Sequence, residues 1–528
     1  MPRPDTTMSR RGFLGGTAAL AAGVALLDGG GRALADVTRR AGGPVTADPS
    51  GLSPFGFMFP GLPPLRPDAD PSVTLANLQA LAASMLDPNV TTPAPGNRDN
   101  TGVLGSVLTY WGQFIDHDLT LDLQPQPSQF FTQSGSGALL DPAGAPVGNN
   151  ESFRFDLSSV YGGGPALSPQ LYEVDGVHFK IQEPNGNGVR DLPRNPDGSA
   201  ILVEHRNDEN EVISQVHTVF LKAHNAIADT LGLGFEGTRA LVIKYYQWVL
   251  LHEFIPEVCG QDTVDGMLDG SIRSFYNPGN PAHPMTPVEW STAAYRFGHS
   301  IVRKAYVLNG DKDPVTGALL HKLQVFNGTD ADLHGGRPLP AGRQIDWAHF
   351  VAGLRGTVPD AEFNFPRFTD TLISSGLFTI PIGGPAGAEA SGSNVLGFRN
   401  MVRGFFYGLP SGQDVAAALG VPVISPGDVM AGSQATAGKI LPGFETGTPL
   451  WFYVLAESEL AGGTRLGPVG ARIVADTFLG ILKADPDGLL HDNSPEHGRW
   501  QPQPPIAPAP GRFGIADAVV FAGLAARP

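Results

Sequence analysis

The sequence predicts a mainly α fold, built as one large domain with long loops and few short strands. Apolar residues recur at helical spacing in a series of separated segments. The chain of 528 residues holds 68 glycines and 48 prolines, which supply the turns between those segments. Strand signals are short and scattered, and no internal repeat is present. Hydrophobic residues make up 41% and charged residues 16%, enough apolar material for a sizeable core and too much for a disordered chain. The net charge of −16 sets the chain against phosphate backbones and anionic membranes, so neither nucleic acid nor membrane is an expected partner. Cys259 stands alone, which excludes an internal disulfide and any multi-cysteine metal cluster.

The first element is an address. Ser9-Arg10-Arg11-Gly12-Phe13-Leu14 opens an apolar stretch that runs to Leu27, too short for a comfortable membrane span. Ala33-Leu34-Ala35 follows as a small-x-small cleavage pattern. Residues 1–35 thus resemble a twin-arginine export signal, which would deliver the chain to the cell envelope, the periplasm or the outside. Residues 36–70 are rich in Pro and Gly and read as an extended arm on the surface. Residues 71–528 read as one domain with no internal boundary.

Within that domain the helical signals come in order. Ser72 to Leu86 is the first. Residues 104–121 are stronger, with Val107, Leu108, Trp111, Phe114 and Ile115 at apolar positions. Residues 122–200 read mostly as loop. Two long patterns follow at 209–231 and 238–255. Thr286-Pro287-Val288-Glu289 reads as a capping box that should start a helix running through Tyr295 and His299 to about Ile301. Further helices are expected at 345–354, 395–407, 413–419 and 467–483.

Three clusters could carry chemistry. In Trp111-Gly112-Gln113-Phe114-Ile115-Asp116-His117-Asp118-Leu119, helical spacing puts Gln113, Asp116 and His117 over one patch and turns Asp118 elsewhere. In Glu204-His205-Arg206-Asn207-Asp208-Glu209, Arg206 and Glu209 sit three apart just ahead of an apolar helix. In Tyr295-Arg296-Phe297-Gly298-His299, the histidine falls mid-helix beside a glycine that leaves room for something flat. Each has an ordinary reading when taken singly. The first could be a satisfied buried cluster, the second a solvated helix start with a favourable acidic turn, and the third a packed core histidine.

Their order along the chain carries more. With His217-Thr218-Val219-Phe220, Lys222-Ala223-His224-Asn225, Asn400 through Arg403, Gly408-Leu409-Pro410 and Leu466-Gly467-Pro468-Val469-Gly470, the chain resembles the animal-type haem peroxidases over most of residues 100–480. This is the superfamily of myeloperoxidase and lactoperoxidase, and the leader suits a bacterial member. The resemblance implies haem b as cofactor, with His299 as the proximal iron ligand and Asn400 accepting its other ring N–H. It implies His117 as the distal base, Gln113 as the distal amide and Arg206 as the distal cation. Arg296 would pair with a haem propionate. Asp116 and Glu209 match the carboxylates that form ester links to haem. Asn210 stands where myeloperoxidase has methionine, so that enzyme's third, sulfonium link is not expected. A calcium loop is implied too, with Asp118, Ser152, the carbonyl of Arg154, Asp156 and Ser158 as Ca²⁺ ligands. Ser152 and Arg154 depart from the usual family pattern.

The implied function is a secreted peroxidase. It would use hydrogen peroxide to oxidise halide, thiocyanate or small organic donors through a ferryl haem. One alternative is a fatty-acid dioxygenase of the same superfamily, which needs a tyrosine three residues before the proximal histidine. Arg296 holds that position here, and Tyr295 is four before. Another is a non-catalytic adhesion or matrix-binding relative, against which the full set Gln113, His117, Arg206 and His299 argues. A non-haem metalloenzyme using His117, Asp116 and Asp118 lacks any His-Glu-x-x-His spacing.

Overall fold

A computed structural model describes residues 52–528, apart from 67, 89–104, 122–126, 183–189, 328, 330, 381–393, 437–438, 440, 492 and 495–497. The export signal and the first part of the arm lie outside the described residues. Helices dominate, as the apolar spacing predicts, and the strands are two to four residues long.

Residues 53–59 of the arm enter the core, while most of its other described residues stay at the surface. Strand β1 (Ser53–Gly56) is the centre of a three-stranded sheet. It runs antiparallel to β2 (Gly148–Asn149) and parallel to β3 (Thr286–Pro287), with Ser53 opposite Asn149 and Phe55 opposite Thr286. Phe55, Phe57, Met58 and Phe59 are all buried. Four large apolar side chains in five residues outweigh the loop signal of the flanking Pro and Gly.

Helix α1 (Pro71–Ser84) starts at Asp70, whose carboxylate accepts from the backbone N–H of Ser72, with Pro71 in the first turn. Helix α2 (Val107–Leu119) is buried along most of its length. It packs on α3 (Glu211–Leu231), where Phe114 stacks on Phe220 at 4.2 Å and Trp111 lies 4.9 Å from the same ring. The Asn210 side chain caps α3 by accepting from the N–H groups of Val212 and Ile213. Helix α4 (Phe235–Val249) continues through a five-residue π segment, Leu250–Phe254, into Ile255–Cys259.

The expected helix over 286–301 breaks in two. Val288–Ser291 forms one turn, and a 3-10 segment covers Ala294–His299. The capping box does not form. Thr286 belongs to β3, and the Glu289 carboxylate accepts from the N–H groups of Met58 and Phe59, at 2.9 and 3.1 Å. Backbone donors of the arm therefore compete successfully for the box's own acceptor. The break lets Trp290 stack on Tyr295 at 4.7 Å, a pair that a continuous helix would point to different sides. His299 ends the 3-10 segment and is not mid-helix. Similarly, 345–354 holds two 3-10 turns, Trp347–His349 and Ala352–Leu354, and no α-helix.

Helices α5 (Leu396–Tyr407), Gly412–Leu419 and α7 (Pro468–Ala484) lie close to their expected places, with α6 (Leu450–Leu460) ahead of the last. Helix α6 and the C-terminal α8 (Ile515–Phe521) were not legible. The first eight residues of α6, Leu450 to Glu457, are buried without a polar face, so no periodicity marks it. Among the described residues no helix is long and apolar enough to cross a membrane.

Candidate active site

The distal wall is built on α2 and the turn before α3. Helical spacing brings Gln113, Asp116 and His117 to one side, as expected. The His117 ring is buried, with Nδ1 2.8 Å from Asn207 Oδ1 and Nε2 3.8 Å from Glu209 Oε1. Asn207 Nδ2 in turn lies 3.0 Å from His217 Nδ1 on α3. The Gln113 amide donates to the Glu209 carboxylate, and its oxygen meets Asn210 Nδ2 at 3.4 Å. Asp116 accepts from the Thr120 hydroxyl at 3.3 Å.

Arg206 sits in the 3-10 turn His205–Asp208. Its Nε and Nη2 donate to the two oxygens of buried Glu204, each at 2.9 Å. Nη2 also donates to the carbonyls of Thr120 and His117. The guanidinium thus closes the C-terminal end of α2 while its charge is balanced. Burial opposes ionisation of Glu204, yet the adjacent Arg206 holds its carboxyl below the ordinary range. Burial pushes the Glu209 carboxyl up, against the opposing pull of His117 and Arg206.

Glu209 is held by the loop around Gly335. The N–H of Gly335 donates to the Glu209 carbonyl at 2.9 Å, and that of Gly336 to Asp208 at 2.7 Å. A Cβ on Gly335 would stand 1.8 Å from the Asp208 oxygen, so this approach requires glycine. Ion pairs brace both neighbours, Asp208 with Arg194 and Glu211 with Arg337 and Arg343.

The proximal wall is the 3-10 segment backed by α5 and α6. His299 Nδ1 lies 2.9 Å from the amide nitrogen of Asn400. Arg296 donates from Nη1 to Asn400 Oδ1 at 3.0 Å and from Nε to the Ser291 carbonyl at 2.8 Å. A guanidinium can only donate, so it claims the Asn400 oxygen and turns the amide nitrogen toward His299. Burial, helped by the Arg296 charge, pushes the His299 imidazole down to about 3, so the ring is neutral. Tyr295 ties the two walls together, donating from its hydroxyl to the Gly112 carbonyl of α2 at 3.0 Å.

The polar side chains of the two walls are not fully packed. Gln113, Asp116, Arg206 and His299 keep part of their accessibility, and the Glu209 side chain keeps 39%. Glu209 and His299 nevertheless feel strong desolvation, so their free faces look into a void inside the protein. A Cβ on Gly298 would meet nothing within 4 Å, the room that the glycine beside the histidine predicted.

Asp118 points away from this void into the loop 151–159. Its carboxyl accepts from the Ser159 hydroxyl at 2.7 Å and from the N–H groups of Leu157 and Ser159 at 3.3 Å. Asp156 accepts from the Ser152 hydroxyl and the Ser158 N–H, at 3.2 and 3.0 Å. Burial and the mutual repulsion of the pair push the Asp118 carboxyl up. Phe153 and Leu157 adopt positive φ, 48° and 55°, which costs conformational energy for residues of their size. The Ser158 hydroxyl turns to Glu151 and the Arg154 side chain to Asp485, so of the expected set only Asp118, Asp156 and Ser152 present their side chains to the loop interior. Among the described residues no group of three or more His, Cys, Asp or Glu side chains is arranged to hold a metal ion.

Sequence reasoning missed Glu204, Asn207 and the Gly335 loop as parts of this site. Asn207 had one available signal, a polar residue next to a candidate arginine. The loop had none, because it lies over a hundred residues away in the chain.

Comparison with known proteins finds similarity to haem peroxidases. Residues 144–381 match the animal haem peroxidase family. The chain is 28% identical over 169 residues to a chorion peroxidase of Aedes aegypti, covering 28% of this chain and 21% of that protein. It spans about a fifth to a third of the length of the first curated relatives that it matches. Peroxidase A from Dictyostelium discoideum shares the fold with a TM-score of 0.60 at 19% identity, over 84% of this chain and 89% of that one. A fatty acid alpha-dioxygenase of Arabidopsis thaliana follows with a TM-score of 0.51 at 15% identity, over 83% and 73%. The segment that matches the animal haem peroxidase family carries Arg206, Glu209 and His299, and the fold shared with the Dictyostelium peroxidase extends well beyond that segment.

Proposed function

We propose that this chain is an exported haem peroxidase that reduces hydrogen peroxide and oxidises a small donor such as a halide, thiocyanate or phenol. One observation carries the reading. A neutral histidine beside the open face of Gly298 lies on a segment tied to the helix of the distal histidine and amide, and Gln113, Asp116, Arg206, Glu209 and His299 all keep part of their accessibility there. That donor set fits a haem, with His299 as the residue to hold the iron. Iron ligation through Nε2 requires the ring proton on Nδ1. A half-turn of the Asn400 amide would provide it, presenting the oxygen to His299 and freeing Arg296 for a propionate. Asp116 and Glu209 belong to the same set and are the carboxylates for ester links.

Bound haem would supply the iron that takes up peroxide and stores its oxidising equivalents. The residues of the chain do the rest. His117 accepts a proton from one peroxide oxygen and returns it to the departing one. Arg206, held rigid by Glu204, stabilises the charge on that oxygen. Gln113 holds water or a small anion over the site.

The dioxygenase reading is weaker. Tyr295 gives its hydroxyl proton to the Gly112 carbonyl and stacks on Trp290, and no tyrosine stands three residues before His299. Asp118 and Asp156 are proposed to share a calcium ion completed by hydroxyl and carbonyl oxygens, which would relieve their repulsion. A chelator should then lower the melting temperature of the native chain but not of Asp156→Ala.

An absorbance spectrum of the haem-loaded protein tests the central proposal. A Soret band that shifts with hydrogen peroxide and returns on adding bromide or a phenol is expected. A band indifferent to peroxide would overturn the peroxidase reading, and no band would overturn the haem assignment.

A further inference from the structure

His117 can act as a base only if its free nitrogen, Nε2, carries a lone pair. A neutral imidazole has one N–H, so the proton must then sit on Nδ1. Nδ1 faces Asn207 Oδ1 at 2.8 Å, and Asn207 Nδ2 faces His217 Nδ1 at 3.0 Å. All three side chains are buried, at 4%, 0% and 2% exposure. His217 is neutral at ordinary pH, since burial pushes its imidazole down to about 4.

An amide is polar in one sense. One end accepts and the other donates, so this row of three has two self-consistent states. In the first, His217 Nδ1 accepts from the Asn207 amide nitrogen, and the Asn207 oxygen accepts from His117 Nδ1–H. Nε2 of His117 is then bare toward the void. In the second, the amide is turned over. His217 Nδ1–H donates to the oxygen, the amide nitrogen donates to His117 Nδ1, and the His117 proton moves to Nε2. That state cannot take a proton from peroxide. Any mixed arrangement leaves two donors or two lone pairs facing each other in a buried site, which the lost hydrogen bonds forbid.

We propose that Asn207 and His217 are positioning residues that hold the distal histidine in its Nδ1–H tautomer. His217, which borders no part of the void, thereby controls the proton-accepting capacity of His117 through one amide. The inference rests on the reading of His117 as the proton acceptor, and its first test does not need that reaction.

The test uses the full chain with ¹⁵N-labelled histidine, loaded with zinc protoporphyrin, which is diamagnetic. Long-range ¹H–¹⁵N spectra report which ring nitrogen of His117 is protonated, with the signal assigned by its loss in His117→Gln. The native chain should show Nδ1–H. Asn207→Asp should keep it, because a carboxylate accepts from both rings. Asn207→Leu and His217→Phe should give Nε2–H or a mixture. In the iron-loaded protein the last two should react with peroxide about 10- to 100-fold more slowly, the lower part of the range for loss of a positioned base. Asn207→Asp should stay within about threefold of the native rate, a rescue that a role in packing alone would not produce. An Nε2–H tautomer in the native chain overturns the inference, as does an unchanged tautomer in His217→Phe. Unchanged peroxide rates in variants that have lost Nδ1–H overturn it as well. The expected tautomers in a native protein that ignores peroxide would instead overturn the proposed function and the positioning role with it, while leaving the hydrogen-bond assignment intact.

Discussion

The two walls of the void each set a histidine against an asparagine, but they use opposite ends of the amide. On the distal side the Asn207 oxygen meets His117 Nδ1, and the amide nitrogen is taken by His217. On the proximal side the Asn400 nitrogen meets His299 Nδ1, and the oxygen is taken by Arg296. The third partner decides. Neutral His217 can accept, whereas a guanidinium can only donate. The walls also differ in charge. The distal wall is a closed set of ions, with Arg206 balanced by Glu204, and Asp208 and Glu211 braced by three arginines. The proximal wall sets the Arg296 cation beside the histidine, and burial together with that charge keeps His299 neutral. On the proposed reading, one wall would move a proton and the other would hold a ligand.

The comparison can be broken most completely at His299. His299→Ala should abolish the Soret band of the reconstituted protein, while His117→Ala should keep it. If both variants bind haem equally, the division of labour is wrong. Next in size, His117→Ala should slow the reaction with peroxide by about 10²- to 10⁴-fold in stopped-flow absorbance. A loss below tenfold would remove the proton transfer from this residue. Third, Arg206→Ala leaves Glu204 buried without its counter-ion, which should cost about 3–5 kcal/mol of stability, read as a lower denaturation midpoint. Arg206→Lys should recover only part of this, because an ammonium cannot span both Glu204 oxygens and the α2 carbonyls.

The smallest effect concerns how the proximal wall hangs on the arm. Burial pushes the Glu289 carboxyl up from 4.5 to about 7, though the Met58 and Phe59 N–H groups work against the shift. A raised carboxyl favours the fold while protonated in both states. Its contribution is therefore fully present below about pH 4.5 and is lost as pH rises through 7. Glu289→Gln should flatten the fall in stability over that window by about 3 kcal/mol. Equal slopes for the two proteins would show that Glu289 does not carry the effect.

Much of the distal wall was legible because it is local. Gln113, Asp116 and His117 share a helix face, and a spacing of three or four residues is enough to bring them together. The neighbouring helices were legible for the same reason, since each carries a polar and an apolar side. The proximal segment misled. Thr286 and Glu289 look like a helix start, but the donors that claim Glu289 come from Met58 and Phe59, more than two hundred residues earlier. Helix α6 was invisible because burial without a polar face erases the period.

By itself, then, the amino-acid sequence determined the helical character, the residue types of the site and their grouping on α2 and before α3. These follow from local propensity and periodicity, which a linear chain already contains. Only the tertiary structure decided that part of the arm enters the core, that the helix before His299 breaks, and which end of each asparagine faces its histidine. Those outcomes are competitions between distant donors and acceptors for the same buried partner. They are settled only when the chain has closed around them and water is gone.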